Sequence, residues 1–160
     1  MALSGRTAAV ALLTAGVIAG LAVPLAACGR LSAAAPVAAA MQFTYVIGHA
    51  VCHQRPDRSF FSCGRQWPVC GRCAGLYMGF ALGGLVGLVI LGRGASRATT
   101  DRTPWWRRAL VAAAVPTAVL WALEFVVGVD PGSLIRWAGA VPLGVMVALW
   151  LTAVARGNLR

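Results

Sequence analysis

The chain has 160 residues, 59% of them hydrophobic and 11% charged, with a mean hydropathy of +0.77. That combination excludes a soluble globular domain and points to an integral membrane protein. All fourteen basic residues are arginine, set against Asp57, Asp101, Glu124 and Asp130, for a net charge of +10. So basic a chain raises nucleic acid as a partner. However, it has no basic helix face and no RNA-binding signature, and most of the arginines flank apolar runs. The charge therefore reads as topology-setting and headgroup-facing, with the lipid bilayer as partner.

In chain order, Thr7 to Ala27 is an apolar run broken only by Pro24, at about 20 residues long enough to span a bilayer. Its ending, Leu25-Ala26-Ala27-Cys28-Gly29, also has the form of a bacterial lipoprotein cleavage box, in which Cys28 would be acylated. An uncleaved helix is the preferred reading, and under either one the next segment emerges outside the cytoplasm. Arg30 to Pro36 is a small-residue linker that completes an N-terminal unit, 1–36, ahead of a single membrane domain, 37–155.

Residues 37–53 place Gln42, Tyr45, His49, Cys52 and His53 at spacings of 3, 4, 3 and 1. These share one face of a helix with about 3.6 residues per turn. We read an amphipathic helix that Pro56 closes, followed by a Cys-rich loop, 54–73, anchored by Phe60, Phe61 and Trp67.

Three further spans follow, 74–91, 109–127 and 134–155. The first carries Gly75, Gly79, Gly83 and Gly87 at unbroken four-residue spacing, which suits backbone-to-backbone approach of another helix. A helix of the same chain is the preferred partner, with a homo-oligomer through the glycine face as the alternative. A basic loop, Gly92 to Arg108, belongs in the cytoplasm. With the amino terminus inside, eight arginines fall on the cytoplasmic side and six outside, placing the Cys-rich loop outside the cytoplasm. If residues 37–51 also crossed, that tally would reverse. The expected fold is an all-α membrane bundle of about four transmembrane helices, one amphipathic helix and the Cys-rich loop.

The reactive side chains crowd into that loop and its borders. The pattern Cys52-His53-x9-Cys63-x6-Cys70-x2-Cys73 contains a Cys-x-x-Cys pair, which suits half of a tetrahedral zinc site, a redox dithiol or half of an iron–sulfur site. Covalent c-type haem is excluded, because Ala74 stands where that motif needs His.

For a metal, Cys52 and His53 are the natural partners of Cys70 and Cys73, with Cys63 and His49 as auxiliary candidates. Adjacent residues on a helix point about 100° apart, so Cys52 and His53 can both ligate only if the helix ends there. For redox chemistry, Arg72 between the cysteines and the helix start at Cys73 would favour a thiolate. Plain disulfides among the four cysteines are the third option. Metal, zinc first, is preferred because it gives His53 a role. Whether the protein is an enzyme stays open, with Cys70, Cys73 and Glu124 the candidate reactive groups.

Arg58 and Arg72 suit an anionic headgroup or substrate. Glu124, a carboxylate inside an apolar span, needs a partner; Arg136, early in the next span, is the nearest candidate.

The residues Cys52-His53-Gln54-x-Pro56-x-Arg58-Ser59-Phe60-Phe61, Gly64, and Pro68-Val69-Cys70-x-Arg72-Cys73-x-Gly75-x-Tyr77-x-Gly79 resemble the signature of a prokaryotic membrane family catalogued as domain of unknown function 2085. Ser133, Arg136 and Gly139 are similar to its less distinctive carboxyl-terminal part, so the resemblance covers roughly the last two thirds of the chain. It implies a small multi-helix membrane protein and no particular activity. Cys63 and His49 stand outside the pattern, which narrows the ligand set to Cys52, His53, Cys70 and Cys73.

Overall fold

The computed structural model describes residues 5–29, 35–92 and 103–155. The linker after Gly29, most of the basic loop and the arginine tail at 156–160 lie outside the described residues. Among those described there are five helices, α1 (Gly5–Gly29), α2 (Ala35–Val51), α3 (Gly71–Gly92), α4 (Thr103–Ala122) and α5 (Gly132–Ala155), and a hairpin of β1 (Ser59–Ser62) and β2 (Arg65–Cys70).

Among the described residues four stretches are long and apolar enough to cross a membrane: Thr7–Cys28, Gly71–Leu91, Trp105–Val127 and Gly132–Ala155. The chain is thus an all-α membrane protein. α2, at 17 residues and about 1.5 Å of rise each, falls short of a hydrocarbon core of about 30 Å.

In the bundle α3 packs between α1 and α5, and α4 lies against the far side of α5. The α3–α5 contact is built from small residues on both helices. A methyl group added at Gly75, Gly79 or Gly83 would run into the carbonyl oxygens of Trp137, Val141 and Val145, and one at Gly144 into that of Leu76. α5 answers the glycines with its own stripe at four-residue spacing: Ala140, Gly144, Ala148 and Thr152, all buried. Close packing of this kind replaces the hydrophobic drive that lipid removes. The glycine face is thus occupied within the chain, and self-association through it would have to displace α5.

The segment read as a Cys-rich loop is a β-hairpin. Its strands pair antiparallel, Ser62 with Arg65, Phe61 with Gln66 and Ser59 with Cys70, with an irregularity between Ser59 and Phe61. The turn residues Cys63 and Gly64 both have positive φ, 51° and 67°, the geometry that lets a two-residue turn follow strand twist. α3 also starts earlier than residue 74, directly after β2 at Gly71. That puts Cys73 inside its first turn.

α2 ends at Val51, before Pro56 acts. The backbone turns out at Gln54, whose φ is +48°, and Pro56 instead opens a short 3₁₀ turn, Pro56–Arg58. The inward face of α2 is Tyr45, Gly48 and Cys52, while Gln42, His49 and His53 are exposed. The reason is steric. Gly48 lies under the carbonyl of Pro68, where a side chain would collide, so the helix is rotated from the face the sequence suggested.

Candidate functional site

At the hairpin end of the bundle the sulfurs of Cys52, Cys70 and Cys73 lie within 4.8 Å of one another. Three elements deliver them. Cys52 is tied to the last turn of α2 by a bond from its backbone N–H to the Gly48 carbonyl at 2.9 Å. Cys70 closes β2, and Cys73, three residues on, sits above it in the first turn of α3, the spacing that stacks side chains on one helix face. The Cys70 backbone N–H donates to the Cys52 sulfur at 3.2 Å. Behind the thiols Val23, Val69 and Ala74 form an apolar wall with Trp67, Tyr77 and Trp137.

The hairpin is held against α2 by glutamine side chains. Gln54 donates from Nε2 to the carbonyls of Tyr45 at 2.8 Å and Pro68 at 2.7 Å. Gln66 donates to the Gln54 carbonyl and to Ser59 Oγ. These two residues set the position of Cys52 and were not singled out from the sequence. Gln54 lay within the motif, but nothing in its spacing told a brace from a surface amide.

Cys70 stands just ahead of the α3 amino terminus. A hydrogen bond from the Cys73 thiol pulls its pKa from the ordinary 9.0 down to about 5, against burial, with help from the Cys73 and Arg72 backbone N–H groups and from Cys52. Cys70 is therefore the thiolate of the pair at neutral pH. The sequence pointed instead to the helix start at Cys73.

Cys63 pairs with Cys28 in a disulfide across 35 residues, joining the hairpin tip to the end of α1. The auxiliary-ligand reading of Cys63 gives way to this bond, as does pairing among Cys52, Cys63, Cys70 and Cys73. A Cys28 sulfur in a disulfide is also not free for acylation. Cys52, Cys70 and Cys73 are free thiols. His53 lines the cavity in front of them but is exposed and outside the sulfur cluster. His49 is exposed on α2 and is not among the cavity's lining residues.

That cavity, of about 190 Å³, is lined by Cys52, Cys70 and Cys73 and by Arg58, Arg72 and Arg136, with His53 and Arg55 beside them. Behind the arginines Glu124, on a π-helical turn, Leu123–Val127, is 7% exposed. Its Oε1 accepts from Arg136 Nε at 2.8 Å and Arg72 Nη2 at 2.9 Å, and Arg58 Nη1 lies 3.4 Å from Oε2. Arg136, the partner read from the sequence, is thus joined by two more arginines. Asp130, not singled out from the sequence, meets Arg136 Nη2 at 2.9 Å and also accepts from the Gly132 backbone N–H. Arg136 continues the Ala140–Gly144–Ala148–Thr152 stripe by one more step of four. That explains why its side chain is buried at the α3 contact.

The fold and site define a polytopic membrane protein with a three-thiol cluster facing an arginine-lined cavity. Residues 52–150 match the model of the family described as predicted membrane protein (DUF2085), and the chain belongs to that family. Over 46 residues it is 46% identical to an uncharacterised protein of Methanocaldococcus jannaschii, a segment covering 29% of this chain and 27% of the relative. An uncharacterised protein of Methanothermobacter thermautotrophicus is 44% identical over 39 residues, covering 24% of this chain and 31% of the relative. The chain thus matches about a third or less of each relative's length. No solved structure matches.

Proposed function

We propose that Cys52, Cys70 and Cys73 are thiolate ligands of a metal ion, zinc by donor type, with His53 as the fourth ligand. The observation that carries this reading is the approach of three sulfurs to within 4.8 Å of one another. Tetrahedral zinc with bonds of about 2.3 Å asks for sulfur separations of about 3.8 Å. Bringing the sulfurs to that spacing needs shifts of about 1 Å, and His53, exposed and outside the cluster, would have to turn in from the cavity to complete it. Cys70, already a thiolate at neutral pH, gives up no proton on binding. Because the ligands come from α2, β2 and α3, the ion would lock the hairpin onto the bundle. The site lies on the extracytoplasmic side; the arginine distribution supports this, and so does the Cys28–Cys63 disulfide at the same end, a bond that persists outside reducing compartments.

The test is to purify the protein in mild detergent without reductant and count metal and free thiols on one sample. Wild type should hold a single zinc per chain, and Cys52→Ser should lose it. Absence of metal together with a Cys70–Cys73 disulfide would overturn the reading.

One observation favours a second reading, a membrane thiol–disulfide oxidoreductase: a Cys-x-x-Cys pair in which the Cys73 thiol donates to a Cys70 sulfur of lowered pKa. It expects a metal-free protein with one rapidly alkylated cysteine.

A further inference from the structure

The arginines around the cavity have donors left over. Among the described residues, four buried side-chain nitrogen or oxygen atoms lack a hydrogen-bond partner, and three of them are guanidinium nitrogens of this site: Arg58 Nε, Arg72 Nε and Arg136 Nη1. Arg136 is only 2% exposed, and its bonds to Glu124 and Asp130 still leave Nη1 unpartnered. Arg58 Nε is 3.7 Å from Asp57, a carboxylate about half exposed that Arg55 holds at 3.0 Å. Unfilled donors of this kind are uncommon in folded proteins and mark where an ion or water belongs.

We propose that the cavity binds a small oxyanion, a phosphate group either free or on a lipid headgroup. The three guanidinium groups come from three elements, the 3₁₀ turn, α3 and α5, so they approach from different directions. A tetrahedral oxyanion presents acceptors in several directions, and guanidinium is the side chain best matched to it. The cavity, at about 190 Å³, is far larger than the ~10–15 Å³ that admits one water. Three carboxylates, Glu124, Asp130 and Asp57, stand against the four arginines Arg55, Arg58, Arg72 and Arg136, so what calls for an anion is the unfilled N–H donors more than net charge. A divalent ion on three thiolates would carry one negative charge and would neutralise one arginine, leaving the orphan N–H groups unfilled. The site stands on the arginines and does not depend on the metal.

The experiment has two arms. In the first, equilibrium dialysis of the detergent-purified protein against radiolabelled inorganic phosphate should show saturable binding. Binding should weaken by about tenfold in Arg58→Gln and in Arg72→Gln, and stay unchanged in Arg65→Gln, whose side chain is exposed on the hairpin. In the second, nanodiscs of phosphatidylcholine with or without phosphatidylglycerol are tested for retained phosphatidylglycerol by mass spectrometry.

Phosphate binding lost in the cavity variants supports a free anion. Phosphatidylglycerol retention lost in the same variants, without phosphate binding, supports a headgroup. Thermal unfolding and metal content confirm that the variants are folded. Stripping the metal from the wild-type protein with a chelator separates this proposal from the metal reading, since it should remove zinc and leave phosphate binding in place. Absence of binding in both arms, binding indifferent to Arg58 and Arg72, or loss of phosphate binding when the chelator removes the metal would overturn the proposal.

Discussion

Removing the Glu124 carboxylate would leave three guanidinium groups facing one another at the end of the bundle. With Glu124 7% and Arg136 2% exposed, breaking the pair costs about 3–5 kcal/mol, mostly from the charge left buried. Glu124→Ala should show this as a lowered thermal midpoint in detergent, with Glu124→Gln in between. The Glu124–Arg136 relation was legible because a carboxylate in an apolar span demands a partner. The arrival of Arg58 and Arg72 was not, since it depends on how the hairpin folds back.

At the same scale Cys70 carries a pH signature. Its pKa, lowered to about 5, means that its stabilising contribution is full above the ordinary value of 9.0, shrinks below it, and is gone as pH falls through about 5. In metal-free protein, iodoacetamide should modify Cys70 at a rate that rises through about pH 5 and is level by neutrality. An ordinary thiol would rise only near the ordinary value of 9.0. Peptide mapping across pH checks the difference.

Among the elements, α3 and α5 are joined by backbone approach rather than by large side chains. A methyl at Gly79 meets the Val141 backbone, so Gly79→Ala should cost about 1–3 kcal/mol. Leu82→Ala, on the exposed face of the same helix, should be far milder. Unfolding of both variants in one detergent tests this.

The glycine spacing made one half of the contact readable in the sequence. The other half, from Arg136 to Thr152 on α5, has the same spacing in mixed residue types, so it passed as ordinary apolar sequence. The hairpin was hidden for a different reason. Its strands are four and six residues long, too short for an alternating pattern to stand out, and the turn uses Cys63 rather than an Asn or Asp ahead of Gly64.

For the molecule as a whole, four spans and one polar end follow from hydropathy and arginine placement, which act over long windows and survive local errors. What composition could not reveal was the tie between Cys28 and Cys63, because pairing across 35 residues depends on where α1 meets the hairpin tip. Cys63→Ser should lower stability by about 2–5 kcal/mol while leaving metal content at the wild-type level. Loss of metal in that variant would return Cys63 to the ligand set. The disulfide, the glutamine braces and the three thiols together hold the hairpin over the bundle, and the arginine cavity opens beside them.

Three cysteine sulfurs meeting one ion are the core of the proposed site. X-ray absorption at the zinc edge of the purified, zinc-loaded protein reads that coordination directly. It should show three sulfur atoms at about 2.3 Å and one nitrogen at about 2.0 Å, with the sulfur shell lost in Cys52→Ser. Zinc held only by nitrogen and oxygen, or a protein that retains no zinc, would contradict it.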